Sequence, residues 1–192
     1  MTKLYIMRKY FRLILLLLIT CGSFTTGSCQ KKSHELKVVI IRHGEKPDNG
    51  DNLDCQGLNR AMALPKVLFA KFGIASEIYI PTVNAGSKTK SARMFQTITP
   101  YAVKYNLDIN SSYDTEDYKN IAKDVLQQRG TVILIWEHKA IPHIAKALGV
   151  QEDIKDWSDS DFDSIWIITY KKGKVALTAD KEGLNPSQGC PF

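Results

Sequence analysis

The feature that most restricts the fold of this chain is the alternation of short apolar runs with stretches of helical periodicity. Residues 37–41 and 131–136 are rich in β-branched and apolar side chains, which is typical of strands buried on both faces of a sheet. Residues 164–170 and 174–178 predict a closing antiparallel hairpin. This order predicts an α/β fold: a three-layer sandwich with a mostly parallel sheet and helices on both faces.

Apolar residues at helical spacing predict four helices along the chain. They cover residues 57–72, the stretch from the polar loop 84–90 to about Tyr105, residues 117–128 and residues 140–148. Pro65 is expected to kink or divide the first helix, because proline lacks a backbone N–H. A further strand is predicted at 78–80, and the polar stretch between the second and third helices is predicted to be a loop.

The first 28 residues have the pattern of an export signal. A basic start precedes an apolar run at residues 13–19, which is far shorter than the roughly 20 residues needed to span a bilayer. Small residues then lead to Cys29, in a setting that resembles a bacterial lipoprotein signal with Cys29 lipidated. Cys21 is an alternative site, and an ordinary cleaved secretory signal is the alternative interpretation. We expect an exported protein, periplasmic or at the cell surface and lipid-anchored to a bacterial membrane. The predicted divisions are a signal peptide (1–28), a tether (29–35) and one domain (36–192).

The leader also affects how the remaining composition is interpreted. It holds four of the 26 basic residues and no acid, so that 22 basic residues face 20 acidic ones in the rest of the chain. This near balance predicts no nucleic-acid partner. An oxidising compartment permits a disulfide between Cys55 and Cys190, and two free thiols are the alternative.

Two histidines follow the ends of predicted strands, where open α/β sheets bind their ligands. His43 follows the first strand and His138 follows the strand at 131–136. Arg42 precedes His43, and Gly44 permits a tight turn with a close backbone approach. Arg93 lies early in the helix after the second strand. Together these residues indicate a site at the carboxyl edge of the sheet.

Four segments around these residues resemble the motifs of the histidine phosphatase superfamily, the phosphoglycerate-mutase-like proteins. The resemblance covers roughly residues 36–150 and implies a phosphoglycerate-mutase-like fold. It also implies a metal-independent phosphohydrolase without a cofactor, which cleaves a phosphate monoester of a small molecule or a phosphoprotein. A mutase-type phosphotransferase and a non-catalytic phosphate-binding lipoprotein are the alternatives. The segments are Ile41-Arg42-His43-Gly44-Glu45, residues 53–61, Arg93-Met94-Phe95-Gln96-Thr97 and Trp136-Glu137-His138-Lys139.

The resemblance also implies a role for each site residue. His43 would be the nucleophile and form a phosphohistidine, while Arg42, Arg93 and His138 would bind the phosphate. Asn49 is a further candidate for phosphate binding, with Asn52 as its alternative. A metal site formed by His138 and His143 is disfavoured, because residues five apart on a helix point about 140° away from each other.

The group that protonates the leaving oxygen stays open at this point. Glu116 is taken as the acid, with Asp114 and Glu137 as rivals, and a reaction without a dedicated acid is the remaining alternative. Asp114 and Glu116 lie some twenty-odd residues after the second arginine, comparable to the place of the acid in the mutase-like branch. Glu137 is adjacent to His138, but alternation along a strand would turn their side chains to opposite faces.

Overall fold

Six strands and four helices follow one another in residues 35–83 and 91–190, which are the residues that the computed structural model describes. The signal at 1–28, most of the tether, Cys21 and Cys29 lie outside the described residues. The strands are β1 Lys37–Arg42, β2 Glu77–Pro81, β3 Asn110–Tyr113, β4 Thr131–Trp136, β5 Ser164–Lys171 and β6 Lys174–Lys181. The helices are α1 Cys55–Phe72, α2 Ala92–Tyr105, α3 Tyr118–Val125 and α4 Ile141–Ala147.

The strands form one mixed sheet in the order β3-β2-β4-β1-β5-β6. The pairs β3·β2, β2·β4 and β4·β1 are parallel, whereas β5 runs antiparallel to both β1 and β6. The mostly parallel sheet and the closing hairpin are thereby confirmed. In the central pair, Arg42 lies opposite Trp136, so that β1 and β4 end at the same edge of the sheet.

Helices cover both faces of the sheet and make the predicted three-layer sandwich. Val38 and Ile40 of β1 pack with α3 and α4 on one face. Val39 and Ile41 point to the other face, as strand alternation requires, and pack with α1 and α2. Both groups are fully buried, which explains why the first strand has no polar residue between its ends.

Helix α1 differs in two respects from its prediction. It begins at Cys55, two residues early, because the Asp54 side chain accepts a hydrogen bond from the Gly57 N–H and caps it. It also continues through Pro65 and is not divided there. The proline removes one backbone hydrogen bond, and the buried contacts of Leu64 and Leu68 hold the helix on the sheet on either side of it.

The prediction of a loop after α2 is wrong at residues 110–113, which form the edge strand β3. The Asn-Ser-Ser-Tyr sequence has little β propensity, and its two central residues are exposed. Its strand conformation comes from pairing with β2 on one side only, where Tyr79 lies opposite Asn110. A strand formed by such tertiary pairing leaves no periodic signal in its own four residues.

Cys55 and Cys190 form a disulfide with their Cα atoms 5.1 Å apart, which decides between the two alternatives left by the sequence. The bridge joins the start of α1 to the segment after β6. None of the helices within residues 35–83 and 91–190 has the length and apolar character that crossing a membrane requires.

Candidate active site

The topology indicates a crevice where the central strands β1 and β4 end side by side. The helix that follows β1 packs on one face of the sheet, and the helix that follows β4 packs on the other. Neighbouring parallel strands whose connections leave in opposite directions create a binding crevice at their carboxyl ends. His43 follows β1 directly, and its backbone N–H donates to the Trp136 carbonyl over 3.1 Å. His138 lies two residues after β4, so the topology brings both histidines to this crevice.

His43 is buried and held in one tautomer. Its Nδ1 lies 2.7 Å from the Gly44 carbonyl oxygen, which can only accept, so Nδ1 carries the proton and Nε2 presents a lone pair. Burial lowers the pKa of His43 to about 4, against the opposing effect of the Gly44 hydrogen bond; Arg42, Arg93 and His138 lower it further. A neutral imidazole with a directed Nε2 is a nucleophile that needs no prior deprotonation.

Arg42 is held by the loop at residues 158–162. Its Nη1 donates to the Asp159 carbonyl oxygen over 2.6 Å and to the carbonyl oxygens of Ser158 and Asp161 at 3.3 Å each. The guanidinium carbon lies 3.9 Å from the centre of the Phe162 ring. Its Nε is buried without a hydrogen-bond partner among the described residues. One part of the guanidinium is therefore fixed by the loop, while Nε remains available to an acceptor.

Two further basic side chains bury donors beside His43. Arg93 lies in the first turn of α2, and its Nε is buried without a partner in the described chain. Neither ring nitrogen of His138 makes a hydrogen bond there, although Nε2 lies 2.5 Å from Asp159 Oδ1 in a contact that lacks hydrogen-bond geometry. Each buried, unsatisfied donor costs about 1–3 kcal/mol. A multivalent anion such as a phosphate would satisfy several of these donors together.

Hydrogen bonds and close packing fasten the loop after His43 to both helices of one face. The Gly44 N–H donates to Thr97 Oγ1 over 2.9 Å, and the Thr97 hydroxyl donates to the Arg93 carbonyl over 2.7 Å. A Cβ on Gly44 would lie 2.9 Å from the Gly57 carbonyl oxygen, and one on Gly57 would collide with the Glu45 backbone. The close approach expected at Gly44 therefore involves a second glycine, at the start of α1.

A buried network of three charges lies behind this loop and was not predicted. Arg60 donates from Nε and Nη2 to both oxygens of Glu45, at 2.9 and 2.8 Å, and from Nη1 to Glu182 over 2.5 Å. One guanidinium neutralises only one of two carboxylates. Burial raises the pKa of Glu182 to about 7, and Asp163 and Glu45 add to this effect against the opposing Arg60. Glu45 belongs to the first motif, but Glu182 stands alone in the sequence, 122 residues from Arg60.

The carboxylates that the sequence proposed as acids lie in different surroundings. Asp114 and Glu116 are exposed in the turn between β3 and α3. Glu137 is half-buried between β4 and α4, where its carbonyl accepts the N–H groups that start α4. Burial lowers the pKa of Arg42, and the nearby Asp159 and Asp161 oppose this effect. The sequence did not single out either aspartate. They belong to residues 152–163, which contain six acids and no motif to single out any one.

The other predicted residues lie at the surface. Asn49 is exposed in the loop after the first motif, and the nearby Asn52 side chain accepts a hydrogen bond from Gln96. His143 is exposed and stacks on Tyr118, with ring centres 5.1 Å apart. In residues 35–83 and 91–190, no group of three or more His, Cys, Asp or Glu side chains could hold a metal ion.

The sequence matches no protein-family model and no curated protein. The fold, however, is similar to solved structures. The protein histidine phosphatase SixA, complexed with tungstate, is 15% identical with a TM-score of 0.55, over 76% of this chain and 97% of that one. A mycobacterial glucosyl-3-phosphoglycerate phosphatase, in complex with inorganic phosphate, is 12% identical with a TM-score of 0.53, over 75% and 95%. At such low identity the similarity establishes the fold, which is the phosphoglycerate-mutase-like α/β fold.

Proposed function

We propose that this chain is a metal-independent phosphohydrolase that cleaves phosphate monoesters through a phosphohistidine on His43. The observation that carries the proposal is the surroundings of this side chain. Within residues 35–83 and 91–190, a neutral imidazole whose Nε2 makes no hydrogen bond lies near three basic residues, each with a buried nitrogen that lacks a hydrogen-bond partner: Arg42, Arg93 and His138. This combination suits a nucleophile and a bound phosphoryl group better than it suits a structural histidine.

The chemistry takes two steps. His43 Nε2 attacks phosphorus, the N–P bond forms, and the bond from phosphorus to the ester oxygen breaks. The imidazole then carries positive charge, which the Gly44 carbonyl stabilises through the Nδ1 proton. Hydrogen bonds from Arg42, Arg93 and His138 stabilise the phosphoryl oxygens while negative charge is redistributed among those oxygens. In the second step water attacks phosphorus, the N–P bond breaks, and inorganic phosphate leaves with His43 neutral again.

The structural neighbours support the proposed phosphatase activity. They belong to the histidine phosphatase superfamily, and the two cited structures hold tungstate and inorganic phosphate. Both ligands are tetrahedral oxyanions, the shape that the unpartnered donors of this crevice would fit. The substrate of this chain is accordingly proposed to be a phosphorylated small molecule or a phosphoprotein.

Trapping the covalent intermediate tests the proposal. The purified protein is mixed with p-nitrophenyl phosphate, quenched in alkali and examined by mass spectrometry for an acid-labile phosphate on His43. The variant His43→Ala should lose more than about 99% of kcat, whereas His143→Ala, at an exposed histidine, should keep it. A chelator should leave the wild-type rate unchanged. Activity that survives in His43→Ala, or that the chelator removes, would contradict the mechanism.

Binding of an anion without turnover is a separate outcome and would indicate a non-catalytic phosphate-binding protein. Tungstate should raise the melting temperature of the wild type and much less that of Arg93→Ala, because a free anion stabilises only the folded state that binds it. Arg129→Ala, which removes an exposed arginine, is the matched control and should respond like the wild type. Equal protection of Arg93→Ala would show that this side chain does not bind the anion.

We also propose that the chain is exported and lipid-anchored through Cys29, as its leader predicts. The disulfide between Cys55 and Cys190 supports an oxidising compartment, since such bridges are rare in the cytosol. Mass spectrometry of the mature protein from a bacterial membrane fraction should find acyl chains on an N-terminal Cys29. An unmodified N-terminus in a soluble fraction would exclude the anchor.

A further inference from the structure

The proposed reaction leaves one group unassigned, the donor that protonates the leaving oxygen. An alkoxide is a poor leaving group, so a positioned acid accelerates its departure by about 10²–10⁴-fold. Such an acid must reach the bound phosphoryl group. A carboxylate in contact with the basic side chains of the crevice meets this condition.

Asp159 is the carboxylate in contact with these side chains. Its Oδ1 lies 2.5 Å from His138 Nε2, and its carbonyl oxygen accepts the 2.6 Å hydrogen bond from Arg42. The side chain is 85% exposed, so a ligand can reach it from the solvent. Asp159 thus contacts two of the residues that are proposed to bind the phosphate. Its carbonyl oxygen accepts from Arg42, and its side chain lies against His138.

The loop that carries Asp159 is held from both sides. Trp157 is buried, and its indole N–H donates to the Asp161 carbonyl over 2.8 Å. The Asp161 carboxylate accepts from the backbone N–H groups of Asp163 and Ser164 and from the Ser164 hydroxyl at 2.6 Å. These bonds occupy the Asp161 carboxylate. Asp159, by contrast, has its carbonyl oxygen held by Arg42, and only one of its carboxylate oxygens lies against His138.

We propose that Asp159 is the proton donor for the leaving oxygen, an inference that rests on the proposed phosphohydrolase function. In the first step its carboxyl proton passes to the ester oxygen as the P–O bond breaks, and an alcohol leaves. In the second step the carboxylate accepts a proton from the attacking water as the N–P bond breaks, which restores the carboxyl group.

Two esters with different leaving groups test the assignment through kcat/KM, which reports only the steps up to release of the first product. Asp159→Asn should lower kcat/KM by about 10²–10⁴-fold for an alkyl phosphate such as ethyl phosphate. The same variant should change kcat/KM for p-nitrophenyl phosphate by less than a few-fold, since nitrophenolate leaves without a proton. It should also accumulate phosphohistidine during turnover of this second ester, because water loses its proton acceptor.

The control is Asp156→Asn, which makes the same charge change at an exposed residue of the same segment and should leave both esters unaffected. Equal losses on both esters in Asp159→Asn would mean that the side chain binds or positions substrate, and no loss would mean that it has no role; both overturn the assignment. A leaving-group-dependent loss in Asp114→Asn, Glu116→Gln or Glu137→Gln would transfer the role to that residue. A wild type that forms no phosphohistidine would overturn the proposed function as well.

Discussion

At the scale of single residues, burial decides how His43 behaves. A histidine in water titrates near pH 6.5, so that an exposed imidazole is partly protonated at neutral pH. Here burial and the nearby Arg42 and Arg93 lower the pKa to about 4. The folded protein disfavours the protonated ring, and the neutral imidazole therefore persists as the pH falls below 6.5. It is lost only near pH 4. Between these values the unfolded chain takes up the proton first, so acid also weakens the fold.

This shift predicts a measurable titration. The ring proton resonances of His43, assigned by comparison with His43→Gln, should move with a midpoint near pH 4 in the free protein. A bound oxyanion such as tungstate should raise the midpoint, because an adjacent negative charge favours the imidazolium. A midpoint above 6 in the free protein would show that the ring is solvated, and the account of its neutral state would be wrong.

Residues that follow strands could be predicted from the sequence, whereas residues of the surrounding loops could not. His43 and His138 follow two uninterrupted apolar runs, and the carboxyl ends of neighbouring parallel strands meet at one edge. Asp159 is one of six acids within residues 152–163, and only the tertiary structure brings it to His138. The pairing of Arg60 with Glu182 is equally hidden, because nothing local distinguishes a buried glutamate from an exposed one.

At the scale of elements, predictability follows the number of partners that an element has. The central strands β1 and β4 are buried on both faces, so their sequences carry an unbroken apolar signal. The hairpin β5–β6 is local, and its turn residues mark it. The edge strand β3 has one neighbour and a polar sequence, and it could not be predicted. Helix ends depend on single caps such as Asp54, which explains boundary errors of two residues.

Helix α1 connects the site to the rest of the fold through a contact between two glycines. Gly57 lies against the backbone of Gly44 and Glu45, directly after His43. We expect Gly57→Ala to destabilise the fold by about 1–3 kcal/mol, because the added methyl has only backbone to displace. The same shift should move Gly44 and lower kcat/KM.

Gly189→Ala is the matched control for this substitution. Among the described residues, its added Cβ would have only the Ser187 hydroxyl oxygen within reach, at 3.6 Å, so neither stability nor activity should change. Denaturant unfolding and kcat/KM for both variants check the prediction. A Gly57→Ala protein with wild-type stability and rate would mean that α1 does not support the loop after His43.

At the scale of the whole molecule, residues 182–190 are fastened to the start of α1. The Asn59 amide donates to the carbonyl oxygens of Ser187 and Gly189, both at 2.8 Å, and Cys190 is bonded to Cys55. Arg60 holds Glu182 a few residues earlier. The first turns of α1 therefore contact the loop after the proposed nucleophile on one side and the C-terminal segment on the other.

The disulfide closes a separation of 135 residues, so its main effect should be on stability rather than on chemistry. Removing a cross-link between residues so far apart in the sequence gives the unfolded chain more conformational freedom. We therefore expect the double variant Cys55→Ser, Cys190→Ser to lose about 2–5 kcal/mol of unfolding free energy. Because Asn59 and Arg60 still hold the C-terminal segment, kcat/KM should stay within a few-fold of wild type. Reductant should lower the melting temperature of the wild type to that of the double variant and leave the variant unchanged. If reductant instead abolishes activity while the fold stays intact, the bridge acts on the site itself through α1. The prediction that the disulfide affects stability and not kcat/KM would then be wrong.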